Sequence, residues 1–236
     1  MSNFFEFTSQ SLMRNKGGPS TPAAQKARAS ASGRQIAEFA MTIYTIGHST
    51  RGFDELAAAL RGHGITTLVD IRSFPVSRRM PHFNREFLRV ELPRRGIAYV
   101  WLKELGGRRK NVLKDSPNSA LRNESFRNYA DYMMTEEFER GIAELLTIVA
   151  QTDDPTLSPA GPDDQGGAPS KGGTAIMCAE RVYFQCHRML VSDYLTARGH
   201  TVLHIDDERR PVRQHRLMAE ARLVDGKLVY DEGKLL

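Results

Sequence analysis

The sequence predicts an α/β protein: one doubly wound, mainly parallel five-stranded sheet with helices on both faces and a C-terminal hairpin. Three observations predict it. Short β-branched runs alternate with segments whose apolar residues recur at helical spacing, the pattern of a parallel sheet with crossover helices. The polar residues of unusual chemistry cluster just after the strand segments, where such sheets bind ligands. Near the C-terminus, Asp225-Gly226 sits between two apolar runs and reads as a hairpin turn.

The elements follow in order. Residues 1–41 read as a disordered basic tail. Lys16–Arg34 is rich in Gly, Ser, Ala, Pro and basic residues and poor in large apolar ones, so burial cannot offset its ordering entropy. Met41 directly precedes the first strand and is a candidate start. The domain spans 42–236. Ile43–Ile46 is a strand ending at Gly47-His48-Ser49, and Phe53–Leu60 a helix. Thr67–Ile71 is a buried strand, followed by a Pro- and Arg-rich loop, Ser73–Phe83. Asn84 is placed to cap a helix over Arg85–Arg95 that stops at Gly96. Ile97–Leu102 is the third strand, and Gly106–Asn118 a polar, basic loop. Helices follow over about Glu124–Met134 and Glu136–Val149, with Thr135 as N-cap of the second. Residues 151–173 are dense in Pro, Gly, Asp and Ser and read as a flexible insertion. Ala175–Cys178, Cys186–Arg198 and Thr201–Ile205 are strand, helix and strand, and Arg222–Tyr230 is the hairpin.

Composition narrows the function classes. Apolar residues make up 40% and charged residues 26%, a globular balance. No run of about 18 apolar residues could span a membrane. With only Cys178 and Cys186 there is no disulfide framework, so a cytoplasmic setting is expected. The net charge of +5 hides one strongly basic stretch: residues 72–110 carry eleven Lys/Arg against three Glu. Arg78, Arg79, Arg85, Arg108, Arg109 and Lys110 lie in or beside the two loops expected to border the site, interleaved with Phe74, His82 and Phe83. Cations for phosphates beside aromatics for bases are the features of nucleic-acid binding, and a solvated basic surface is the plain alternative.

The sequence is similar to the DUF488 family, a domain of unknown function. The resemblance rests on Tyr44-Thr45-Ile46-Gly47-His48-Ser49-Thr50, on Asp70-Ile71-Arg72 with Pro81-His82-Phe83-Asn84, on Leu105-Gly106-Gly107-Arg108, and above all on Cys178-Ala179-Glu180 through Cys186-His187-Arg188. It runs from about residue 43 to 230. It implies a compact α/β domain of cytoplasmic type and supplies no established reaction.

Function is therefore argued from the candidate site. Glu180 and Asp70 are expected in one pocket as acid and base, or as base and electrostatic stabiliser, with His48 assisting proton transfer; the equal alternative is a structural network, with Asp70 on Arg72 or Arg188 and Glu180 capping the helix that begins near Tyr183. Arg72 and Arg188 would clamp an anion, with Ser49 and His187 beside them. Tyr183 and Phe184 would stack on a base or simply fill core; Tyr44 and Trp101 read as core. For Cys178 and Cys186, packing, metal ligation and a nucleophilic thiol all stay open. The spacing matches neither the usual paired zinc ligands nor a Cys, five residues, Arg pattern, since residue 184 is Phe and residue 192 is Ser.

The leading expectation is a nucleotide- or nucleic-acid-processing enzyme that hydrolyses an N-glycosidic bond with the carboxylate pair, as in DNA repair, with DNA the favoured partner. The alternatives are a thiol- or metal-dependent enzyme built on the Cys/His cluster, and a non-catalytic module that binds or senses an anionic ligand. No cofactor and no membrane partner is expected. The sequence leaves the oligomeric state open.

Overall fold

The computed structural model describes residues 40–110, 113–153 and 172–232. The expectations for the tail up to residue 39, and for most of the insertion, fall outside the described residues.

The central sheet has six strands in the order β3-β2-β4-β1-β5-β6: β1 (Thr42–Gly47), β2 (Ile65–Asp70), β3 (Ala98–Trp101), β4 (Gly173–Cys178), β5 (Thr201–Ile205) and β6 (Arg213–Gln214). The first five are parallel, as expected. The sixth is a two-residue antiparallel edge strand on β5, too short to leave a periodic signal in sequence. A separate antiparallel hairpin joins β7 (Ala221–Val224) to β8 (Lys227–Tyr230). Asp225 and Gly226 both adopt positive φ in its turn, the backbone that the Asp-Gly pair favours.

The helices are α1 (Phe53–Gly62), α2 (Arg85–Glu91), α3 (Glu124–Tyr132), α4 (Glu136–Asp153) and α5 (Arg188–Ala197). The segment expected as one helix to Arg95 is α2 followed by a separate 3-10 turn at Pro93–Arg95. Pro93 lacks the amide N–H needed to continue α2. Asn84 stands at the start of α2, but its side chain accepts from Ser77 N at 2.5 Å rather than from the helix. Thr135 does cap α4, accepting from Phe138 N at 3.4 Å. Helix α4 runs four residues past its expected end.

Strand order decides where the helices go. The chain moves from β1 to β2 to β3 in one direction along the sheet, then back through β4 to β5. Right-handed crossovers place these two halves on opposite faces. Leu56, Leu60, Leu68, Phe83, Leu88 and Ile205 form the core on the α1/α2 face. Tyr129, Phe138, Leu145, Leu190, Tyr194 and Tyr230 belong to the other core, under α3, α4, α5 and the hairpin. Adjacent strands β1 and β4 therefore send their connections to opposite faces. The crevice beyond their carboxyl ends is the topological switch point, where open α/β sheets bind ligands.

Candidate functional site: a cysteine pair at the switch point

Register brings the site together. Gly47 of β1 lies opposite Cys178 of β4, and Asp70 of β2 lies opposite Met177. The segments after these three strands run side by side: His48 N donates to Cys178 O, Ser49 N to Ala179 O, and Ile71 N to Met177 O. Two close approaches require glycine. A Cβ on Gly47 would stand 1.8 Å from Glu180 O, and one on Gly107 would stand 2.3 Å from His187 Nδ1. The loop of residues 106–108 thus lies directly against the imidazole.

A cleft of about 520 Å³ opens here, with Cys178, Cys186 and His187 among its lining residues. Arg72, Phe74, Arg108, Phe126 and Glu180 line it as well. Both thiols are free and almost fully buried. His187 Nε2 lies 3.0 Å from Ile71 O, so that nitrogen carries the proton. Nδ1 then presents a lone pair to Cys178 Sγ at 3.7 Å. Cys186 Sγ accepts from Arg188 N at 3.4 Å and from Arg188 Nε at 3.3 Å. The Cys178 thiol is lowered to about 7, first by a hydrogen bond from Cys186 and then, against the cost of burial, by the Arg188 charge. The Cys186 thiol is pushed up to about 12, by that same bond and by burial. Of the two sulfurs, Cys178 is therefore the more acidic. Cys178 Sγ, Cys186 Sγ and a His187 ring nitrogen all lie within 4.8 Å of one another, a donor set that could also seat a thiophilic cation.

The expected carboxylate pair does not form. Asp70 is fully buried and its carboxylate is saturated. It accepts from Arg72 N, Nε and Nη2, and from Tyr99 OH at 2.7 Å. Those bonds fix Arg72, whose Nη2 also donates to Phe83 O at 2.8 Å. Glu180 is exposed and lines the cleft. Asp70, the last residue of β2, thus takes the alternative that the sequence left open, the pair with Arg72, while Glu180 turns to the cleft.

His48 belongs to the same assembly. Its Nε2 lies 3.2 Å from Arg72 Nη1, which can only donate, so Nδ1 carries the proton and points to Ser49 O at 3.0 Å. Burial, with the Arg72 charge second, lowers its pKa to about 4. His48 is therefore a neutral imidazole stacked on Phe83 at 4.3 Å that helps to hold Arg72. Ser49 adopts positive φ at the turn after β1.

Arg188 was expected to clamp a ligand and is instead turned inward. Its Nη2 donates to Glu180 O at 2.5 Å and Arg181 O at 3.2 Å, pinning the loop after β4. The expected helix over Cys186–Arg198 begins only at Arg188; before it stand a 3-10 turn at Tyr183–Gln185 and an extended Cys186. Tyr183 stacks on His204 with ring centroids 3.5 Å apart, while Phe184 is exposed. The basic residues divide in the same way. Arg109 is drawn back onto the Tyr132 ring and the carbonyls of Gly106 and Glu104. Arg85 lies over Trp101. Arg78, Arg79, Arg108 and Lys110 are exposed, and Arg108 stands over the exposed ring of Phe74.

Sequence reasoning missed a buried polar chain behind the site. Thr45 Oγ1 meets His204 Nδ1 at 2.7 Å, His204 Nε2 meets His215 Nδ1 at 3.0 Å, and His215 Nε2 meets Asp193 Oδ1 at 2.9 Å. Tyr230 OH donates to the other Asp193 oxygen at 3.1 Å. These residues come from β1, β5, the segment after β6, α5 and β8, so no local spacing could signal them. Tyr99, which completes the Asp70 site, carried no distinguishing pattern either.

No helix among the described residues is long and apolar enough to cross a membrane. No curated protein matches the chain, and no solved structure matches it. The model of the family described as Domain of unknown function DUF488 matches residues 52–165, a span that includes Asp70, Arg72 and Gly107 and ends before Cys178. Over that span the chain is similar to the DUF488 family.

Proposed function

We propose that the protein is a thiol-dependent enzyme in which Cys178 is the nucleophile and a nucleotide-type anion, free or within a nucleic acid, is the substrate. One observation carries the reading: Cys178 Sγ lines the cleft at the switch point, with the unprotonated Nδ1 of His187 directed at it from 3.7 Å. A thiol paired with an oriented base is the arrangement of covalent catalysis. Attack by the Cys178 thiolate on an electrophilic centre would give a covalent intermediate. Glu180, the acidic residue lining the cleft, is placed to serve the leaving group or an incoming water.

The substrate class rests on the rim. Phe74 is 68% exposed beside the Arg108 guanidinium, and Arg78, Arg79 and Lys110 are exposed on the same two loops. A flat aromatic face next to exposed cations suits a base and its phosphates. Two free thiols suit a reducing, cytoplasmic setting. Hydrolysis of an N-glycosidic bond by an Asp70/Glu180 pair has less support, because Asp70 is spent on Arg72 and Tyr99.

The test is to expose the full chain to a panel of nucleotides and short single strands carrying electrophilic groups, and to look for adducts by mass spectrometry. An adduct on Cys178, lost in Cys178→Ser, is expected. Equal labelling of the wild type and Cys178→Ser, or no labelling by any member, contradicts the reading.

A further inference from the structure

Beyond the nucleophile stands a second sulfur that simple covalent catalysis does not use. Cys186 is eight residues after Cys178, yet its Sγ lies within 4.8 Å of the Cys178 and His187 ligating atoms. It is held there from both sides. Its amide donates to Tyr183 O at 3.2 Å, and its sulfur receives the Arg188 N and Nε donors. Cys186 also borders the cleft and is buried to nearly the same degree as Cys178. Packing alone does not call for two thiols and an imidazole lone pair converging at an open cleft.

We infer that Cys178 and Cys186 act as a redox pair, in which Cys186 resolves a mixed disulfide on Cys178 and the site reduces disulfide substrates. The inference goes beyond the proposed function, adding disulfides as a second substrate class, and rests on it only for Cys178 as the attacking group. The Cys178 thiolate attacks one sulfur of R–S–S–R′; that S–S bond breaks and R′S⁻ leaves, taking a proton from solvent. Cys186 then gives its proton to His187 Nδ1, and its sulfur attacks Cys178 Sγ. The mixed disulfide breaks, RS⁻ leaves, and His187 returns the proton to it. The substrate gains two electrons and becomes two thiols; the protein loses two and holds a Cys178–Cys186 disulfide. The geometry supports this order: His187 Nδ1 is directed at Cys178 Sγ from 3.7 Å, and Cys186 Sγ stands within 4.8 Å of both groups.

The experiment uses the reduced full-length chain at neutral pH, with oxidised glutathione as the probe. Samples are quenched with an alkylating agent under denaturing conditions and mapped by mass spectrometry. In the wild type, both thiols should disappear together and the two cysteine peptides should appear cross-linked, with little glutathione adduct. Cys186→Ser should accumulate the adduct on Cys178 at least tenfold above wild type, and Cys178→Ser should leave Cys186 unmodified. A stable adduct in the wild type without a cross-link overturns the inference, as does an adduct on Cys186 in Cys178→Ser. Parallel labelling of the reduced chain with iodoacetamide separates the two claims. If Cys178 alkylates readily but no cross-link forms, the redox pair fails and the nucleophile stands; if Cys178 is inert to both reagents, both fail. Should Cys186→Ser not fold, the wild-type cross-link decides alone.

Discussion

Replacing Asp70 by Asn separates a structural carboxylate from a catalytic one. The Asp70 side chain is wholly buried, and the paired Arg72 side chain is only 7% exposed. The Arg72 guanidinium meets Asp70 through Nε at 2.9 Å and Nη2 at 2.5 Å, and Tyr99 OH adds a third side-chain donor at 2.7 Å. Asn keeps the shape but removes the charge, and it must turn an NH2 toward groups that already donate. Breaking a buried pair in this way leaves the guanidinium uncompensated, at a cost of about 3–5 kcal/mol. For a domain of this size that corresponds to roughly 6–20 °C in Tm. Because both partners are buried, solvent screening takes little from that figure. Tyr99→Phe removes one donor and should cost about 1–3 kcal/mol. Thermal and urea unfolding of both variants measure these losses. A Tm within about 2 °C of wild type for Asp70→Asn, with activity abolished, would refute the structural role and restore Asp70 as a reacting group.

Three further outcomes are expected. His204 and His48 have pKa values lowered to about 3 and about 4 in the fold, so the unfolded chain takes up their protons first. Their contribution to stability is whole above pH about 6.5 and is lost as pH falls toward 4 and then 3, roughly 5 and 3 kcal/mol in all; a melting temperature that stays level from pH 7 to about 4 would contradict it. Gly107→Ala pushes a methyl against His187 Nδ1, so it should cost about 1–3 kcal/mol and slow labelling of Cys178 several-fold; unchanged labelling would mean that His187 does not assist the thiol. Arg108→Ala and Phe74→Ala should weaken binding of a short single strand, with Arg108→Ala also flattening its salt dependence, while Arg109→Ala should chiefly lower stability because Arg109 is spent on Tyr132 and backbone carbonyls; filter binding alongside melts distinguishes them.

The sheet was legible because its signals are local. Ile43–Ile46, Thr67–Ile71 and Thr201–Ile205 announce buried parallel strands by their own composition, and each lies within or overlaps an observed strand. The gathering of Gly47, Asp70 and Cys178 at one edge followed from that topology alone. Side-chain direction did not. Asp70 ends β2 and Glu180 follows β4, yet one turns under Arg72 and the other lines the cleft. Arg188 and His187 are adjacent, and an isolated helix turn cannot say that the imidazole faces the cleft while the guanidinium pins the backbone at Glu180. The Thr45–His204–His215–Asp193 chain was invisible because its members are brought together by the fold, not by spacing.

The central claim is that Cys178 is the activated nucleophile of the site. The most direct measurement is the rate of iodoacetamide labelling at Cys178 and at Cys186, followed separately by peptide mass spectrometry across the pH range. The account predicts that Cys178 labels first, with a midpoint near the value of about 7 that the bond from Cys186 and the Arg188 charge set against burial, and that Cys186 stays slow throughout the neutral range. Labelling of Cys186 ahead of Cys178, or of neither thiol until the pH exceeds that of an ordinary cysteine, would contradict it.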